Sequence, residues 1–198
     1  SKIEERGLRF DRRMMLVDQN NKFITQREYP QMATIRLKIS ENNFVASKSE
    51  DEILIPCLPN SEKTAAVKIW SSSVKSVFFG SEINEWFSDI LKTKCSLVFM
   101  NEDAKRIVSP FYAIRKFKDT VSFADAYPYL LIGENSLADL NGKLENPIPM
   151  NRFRPNLVIK DSAAFAEDEW KKIKIGETIF HVVKPCARCV MTTIEQSN

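Results

Sequence analysis

The chain has 198 residues, 43% hydrophobic, 28% charged and 10% aromatic, with 29 basic against 26 acidic side chains and a formal net charge of +3. That size and balance describe one large or two small folded domains with room for a sizeable core, and they exclude disordered, collagen-like and coiled-coil chains. The charge is too mild to point to nucleic acid, and no apolar run reaches the roughly 18 residues of a membrane helix.

The opening SKIEERGLRF is polar and charged and does not read as a signal peptide. Alternation of apolar and polar residues, with β-branched side chains, predicts strands at 14–17, 22–25, 34–39, 52–57, 65–70 and 96–100. Asp18-Gln19-Asn20-Asn21 reads as a hairpin loop and Pro59-Asn60-Ser61 as another break. Cys57 and Cys95 lie in the apolar runs ILIPCL and CSLVFM and are expected to be buried structural thiols. With four cysteines in all, a disulfide scaffold is excluded, and the expected compartment is reducing and cytoplasmic.

Ser81 is expected to cap a helix whose apolar face carries Ile83, Trp86, Phe87, Ile90 and Leu91. Charged, weakly periodic 116–120 is the expected domain boundary. Beyond it Glu134-Asn135-Ser136 opens a second helix, with Leu137, Leu140 and Leu144 turned inward and Gly142 marking its end. Strands are predicted again at 157–159, 173–175, 178–183 and 190–194, with a tight turn at Gly176. Short strands at this spacing predict an antiparallel barrel or sandwich rather than βαβ units.

Two places carry chemistry. The first is Pro185-Cys186-Ala187-Arg188-Cys189, whose C-x-x-C spacing serves as half a zinc site, a redox pair or a metal hook. Structural zinc needs four ligands, and His181, Cys57 and Cys95 offer no second set at ligand spacing. A redox pair should open a helix, whereas the following VMTTI is rich in β formers. What remains is a thiolate favoured by Arg188, for a soft metal or for carrying sulfur, against two half-buried structural cysteines. His181 is the only histidine, with no serine and aspartate to complete a triad around it, and five glycines leave no Gly-rich phosphate loop. The second place is the arginines at strand ends: Arg12 and Arg13, Arg27, and Arg152-Phe153-Arg154-Pro155-Asn156. Guanidinium forks at fixed positions point to an anionic ligand, against surface charge for any single one.

The residues that carry this chemistry also carry a family likeness. GLRFDRRMMLVDQNNKFITQREYPQMATI resembles the start of the β-barrel domain that precedes MOSC domains. DAYPYLLIGENSLADLNGKLENPIPMNRFRPNLVI and AEDEWKKIKIGETIFHVVKPCARCVMTTI are similar to the first half of a MOSC domain. The DRR, RFRPN and CxRCxxTT segments are the most specific, and the likeness runs to the amidoxime-reducing components and the C-terminus of molybdenum cofactor sulfurases. It implies a β-rich α+β fold, with an N-terminal β-barrel-like domain over 1–118 packed on a MOSC β-barrel domain over 119–198 and a few helices. The 73–81 stretch is expected to be a shortened loop. The family's lysine-bearing opening strand and its closing strand are expected outside these residues, leaving the MOSC domain cut at its C-terminal end.

The same likeness implies a molybdenum-pterin cofactor. Cys189 takes the position of the metal ligand and catalytic thiolate, with Cys186 in support. Arg12 or Arg13, Asp125, Arg154, Asn156 and Arg188 take positions of cofactor contacts, and Arg27 a less direct one. The implied activity is reduction of small N-hydroxylated compounds, with electrons from a separate reductase or ferredoxin-like protein, no nucleic-acid partner and no membrane segment in the chain. Two alternatives stay open: a sulfur-carrier or cofactor-delivery module with a persulfide on Cys189, and a partner-binding β domain with structural cysteines.

Overall fold

In the computed structural model, which describes residues 2–196, β1 (Ile3–Glu4) and β2 (Gly7–Leu8) form a small antiparallel pair. Then come β3 (Met14–Val17), β4 (Arg36–Ser40), β5 (Asn43–Lys48), β6 (Asp51–Pro56), β7 (Thr64–Ile69) and β8 (Ser72–Phe78). Helix α1 (Ser81–Leu91) precedes β9 (Ser96–Met100). The remaining elements are β10 (Leu131–Gly133), α2 (Glu134–Asn141), β11 (Leu157–Ile159), β12 (Lys172–Ile175) and β13 (Thr178–His181). The chain divides into two compact units: one holds 9–106, 122–125 and the residues after 193, the other holds the start of the chain, 107–121 and 126–193.

In the first unit a four-stranded antiparallel sheet runs in the order β3-β9-β8-β7, and β4-β5-β6 form a three-stranded one. Strand β9 explains the core. Side chains alternate across a strand, so Leu97 and Phe99 enter one cluster with Leu16, Phe44, Ala46, Ile55 and the α1 stripe Ile83, Phe87 and Leu91. Val98 and Met100 enter a second cluster with Val17, Val67, Ile69, Val74 and Phe78. A strand buried on both faces reads as an unbroken apolar run, which is why SLVFM is legible.

Helix α1 forms as predicted, but Ser81 is its first helical residue. Gly80 stands at the cap in extended conformation, and Lys92 ends the helix in left-handed conformation at φ +53°. The helix is tied to β9 by polar side chains: Asn84 Oδ1 accepts the Leu97 N–H at 2.8 Å, and Ser88 Oγ accepts the Cys95 N–H at 3.1 Å. Cys95 is buried, and burial pushes its thiol pKa up, while Cys57 is only half-buried. Asp18 makes the predicted turn, its carboxylate accepting the N–H groups of Asn20 and Lys22 at 2.8 and 2.9 Å.

Strands β5 and β8 were not legible, nor were the short β1, β2 and β10, and the 73–81 stretch expected as a shortened loop is largely strand β8. Conversely, 22–25 is not a strand: Phe23 and Lys22 make one bridge each, to Val17 and Lys68. No sheet among the described residues closes into a barrel, so the β-rich character with two helices is what is observed.

In the second unit β10 and β11 pair in parallel, Leu131 opposite Leu157, and β12 and β13 form a hairpin around Gly176 at φ +57°. His181 ends β13 and is exposed. The expected inward leucine stripe of α2 is not found: Leu137 and Leu140 are half-buried, Leu144 is exposed, and the buried residue is Ser136. The reason is polar. Glu167, only 8% exposed, accepts the Gly133 N–H at 2.9 Å and the Ser136 hydroxyl at 2.8 Å, and Ser136 Oγ accepts the Phe165 N–H at 2.8 Å. A Cβ on Gly133 would stand 3.0 Å from the Glu167 carboxylate, so a larger residue would push that side chain by a few tenths of an ångström. Burial pushes the Glu167 pKa up, but these hydrogen bonds outweigh it and hold the carboxyl below the usual glutamate range.

Two stability measurements follow from these contacts. Leu91→Ala, at a side chain 2% exposed, is expected to cost about 2–5 kcal/mol in urea unfolding, whereas Leu54→Ala, at one 63% exposed, stays within about 0.5 kcal/mol. Glu167→Ala leaves a buried N–H and hydroxyl without their acceptor and is expected to cost about 1–3 kcal/mol at neutral pH. Because the folded pKa is depressed, the carboxylate's contribution is complete above the unfolded value of about 4.3 and is lost as pH falls through the folded one. The gap between wild type and Glu167→Ala should therefore close on acidification, and a constant gap down to acid pH would refute the assignment.

Candidate functional site

Residues 190–194 carry β-forming side chains yet form a 3-10 helix, Val190–Thr193. The cause is local: Thr192 Oγ1 and Thr193 Oγ1 donate to the carbonyls three residues back, Cys189 and Val190, at 3.1 and 2.7 Å. Threonine hydroxyls thereby close the turn against strand propensity. Cys189 is the residue before this turn, and its carbonyl also accepts the Thr192 N–H at 3.2 Å. Both Cys186 and Cys189 are exposed, so the expectation of half-buried structural cysteines does not hold for them.

Against this turn lies another. Met150–Phe153 is a 3-10 helix closed by Arg154, which is left-handed at φ +54° and donates its N–H to the Asn151 carbonyl at 3.0 Å. Pro155 follows and disfavours right-handed helical geometry at Arg154, so the chain leaves the turn at once. Arg152 is buried, at 8% exposure, and its guanidinium reaches the Thr192 carbonyl at 3.5 Å. Arg188 joins the two segments: one terminal nitrogen donates to the Phe153 carbonyl at 2.7 Å, the other to Cys186 Sγ at 3.2 Å, and the guanidinium lies 5.4 Å over the Phe153 ring. Asn156 is held to the strand end, its side-chain oxygen accepting the Leu130 N–H at 3.0 Å and its own N–H donating to the Leu130 carbonyl at 2.8 Å.

Four of the nominated residues therefore share one small region of the second unit: Arg154, Asn156, Arg188 and Cys189. The sequence reading names Arg152 among the strand-end arginines, but nothing in its spacing shows that it is buried and reaches the thiol turn. The thiol that Arg188 donates to is Cys186, three residues before Cys189.

Arg12, Arg13 and Asp125 belong to the first unit. Arg12 is left-handed at φ +51° and pairs with Asp11. Arg13, 4% exposed, donates to the Met100 carbonyl at 2.9 Å and to Glu102 at 2.8 Å, with its guanidinium 4.8 Å over Phe99. Asp125 pairs with Arg27 at 3.3 Å, and Arg27 lies 5.1 Å over the Trp70 ring. Arg106, which no sequence signal singled out, is buried beneath Asp125 and donates to the carbonyls of Ser122, Ala124 and Asp125. Burial lowers its pKa and the nearby Asp125 carboxylate opposes that shift.

The donor set of the two-turn region fits a soft metal bound to an anionic organic group. It offers exposed sulfur ligands, with guanidinium groups beside them for phosphate or a similar anion.

Comparison with known proteins identifies the domains that carry these residues. The profile of the MOSC N-terminal beta barrel domain matches residues 1–94, and that of the MOSC domain matches residues 118–198. The chain is 29% identical to mitochondrial amidoxime-reducing component 1 of Mus musculus over 197 residues, covering 96% of this chain and 58% of that protein. It is 32% identical to mitochondrial amidoxime reducing component 2 of Rattus norvegicus, covering 93% and 56% respectively. Molybdenum cofactor sulfurase of Oryza sativa subsp. japonica is 29% identical, with 97% of this chain and 26% of that protein covered. The chain thus spans little more than half the length of the amidoxime-reducing relatives and about a quarter of the sulfurase.

Proposed function

The chain belongs to the proteins that join a MOSC N-terminal beta barrel domain to a MOSC domain, and on that premise we propose that it binds the molybdenum cofactor and reduces N-hydroxylated compounds. The observation that carries the proposal is the meeting of the two turns, where exposed thiols and the guanidinium groups of Arg152, Arg154 and Arg188 stand on touching segments. The open sheets of the first unit are proposed as the walls of the barrel that the matched profile names.

In this reading Cys189 holds the metal. Its backbone is fixed by the hydroxyl and N–H of Thr192, whose carbonyl Arg152 supports from below, so Arg152 is a positioning residue. Arg188 fixes the thiol segment against Phe153, and Arg154, exposed and left-handed, is placed to meet an anionic part of the cofactor. Asn156 holds the strand end from which the arginine turn leaves. The cofactor, when bound, supplies the two-electron chemistry that reduction of an N–O bond needs. Electrons come from a separate reductase. Arg12, Arg13 and Asp125 are proposed as cofactor contacts on the family likeness alone, with Arg13 acting through the backbone it holds.

A second reading is sulfur carriage, with a persulfide on Cys189 and delivery of sulfur or cofactor as the task. The exposure of both thiols favours it, since a carrier must offer its sulfur to another protein.

Metal analysis separates the readings. In protein from a cofactor-competent host, Cys189→Ala is expected to lower molybdenum content by more than about tenfold, and Arg152→Ala to lower it by roughly 10–100-fold without loss of fold. A Cys189→Ala protein with full molybdenum content overturns the ligand assignment. Incubation with a cysteine desulfurase followed by mass spectrometry tests the second reading: sulfur added stably at Cys189, with no bound pterin, would favour carriage over reduction.

A further inference from the structure

Residues 107–120 form a loop on a short neck, where Ile107 and Thr120 bridge and the Val108 N–H donates to the Asp119 carbonyl at 2.9 Å. The loop is braced from within. The Asp119 carboxylate accepts the backbone N–H and Nε of Arg115 at 2.8 and 2.7 Å, and the N–H groups of Lys118 and Asp119 donate to the Arg115 carbonyl. Phe117 sits in left-handed conformation at φ +62° between them.

What this bracing displays is apolar. Phe111 is 91% exposed, Phe117 72% and Ile114 55%, three large hydrophobic side chains within seven positions. Scattered exposed hydrophobics are ordinary, but three large ones on a single short braced loop mark an interaction surface. Its charge is one-sided. Arg115 is engaged by Asp119 and by Glu5 at 3.1 Å, which leaves exposed Lys116 and Lys118 beside Phe117, and Lys184 stands 4.8 Å over the Tyr112 ring.

We propose that this loop is a lipid-contact element that seats Phe111, Ile114 and Phe117 in the interface of a bilayer rich in anionic headgroups, with Lys116 and Lys118 against the headgroups. Aromatic and aliphatic wedges ringed by lysine match such an interface, which is apolar a few ångströms below a negative surface. The choice of cation distinguishes lipid from an acidic protein. Lysine is a point charge suited to a diffuse headgroup field, whereas directional pairing with carboxylates favours arginine, and the one arginine of the loop is already held internally. Contact of this kind needs no spanning segment, and no described helix is long and apolar enough to cross a membrane.

Co-sedimentation of the whole chain with vesicles tests the proposal independently of any bound cofactor. Binding is expected to vesicles of phosphatidylcholine with about one-third phosphatidylserine, to be weak on phosphatidylcholine alone, and to fall as salt shortens the screening length from about 10 Å at 0.1 M. Phe111→Ser with Phe117→Ser is expected to weaken binding by about tenfold or more, and Lys116→Glu with Lys118→Glu to abolish the preference for anionic vesicles. Both pairs are exposed, so thermal unfolding should stay at the wild-type midpoint, and a Phe111→Trp variant should show fluorescence quenching by brominated lipid. Failure of the wild type to bind anionic vesicles overturns the proposal. So does unchanged binding in the phenylalanine variant, or retention by an acidic protein with no retention by vesicles.

Discussion

Strand β9 is the constraint on which the first unit depends, because both of its faces are buried and its ends are anchored by charge and amide. Leu97 and Phe99 belong to one apolar cluster and Val98 and Met100 to the other, so neither cluster is complete without it. Such a strand cannot shift register by one residue without exchanging the two cores, which fixes the pairing of β3 and β8 on either side. Polar contacts reinforce the same register. Asn84 of α1 receives the Leu97 N–H, Met100 donates its N–H to the Arg13 carbonyl, and the Arg13 guanidinium returns a bond to the Met100 carbonyl. A buried arginine is costly to desolvate, and here the cost is offset by two acceptors and an aromatic face.

The same accounting divides the arginines of the whole chain. Arg13 donates to a backbone carbonyl and the Glu102 carboxylate, and Arg106 to backbone carbonyls, all inside the first unit, and their sequence context gave no hint of it, since DRR and AKR look like solvated charge. Arg152 is equally buried but reaches a turn that begins after a thiol, so its structural contact is also a contact with the candidate site. Arg154 and Arg188 are exposed. Burial and the identity of the acceptor distinguish these roles, and neither quantity can be read from spacing along a chain.

Legibility followed the strength of the local signal. The runs MMLV and SLVFM coincide with β3 and β9 because apolar β formers admit one reading. NFVASK and SSVKSVF are equally regular strands, yet serine, asparagine and lysine weaken the pattern, and their pairing is decided by Phe44, Ala46, Val74 and Phe78 reaching shared cores. Residues 22–25 show the converse, a good pattern that meets only single bridges. α2 was found from its polar opening, but its inward face was misassigned because the buried partner, Glu167, arrives 31 residues after Ser136 and is polar.

The thiol segment is the most instructive case, since propensity and outcome differ within five residues. VMTTI favours a strand on intrinsic preference, and its two threonines instead satisfy the carbonyls of Cys189 and Val190 and bend the chain into a turn. A strand would carry successive side chains to opposite faces. The turn instead folds the backbone back on the Cys189 carbonyl and brings the Thr192 carbonyl within reach of Arg152. The CxRCxxTT spacing therefore has a physical meaning beyond its thiols: the threonines build the turn, the arginine ties it to Phe153, and the cysteine before the turn is left exposed.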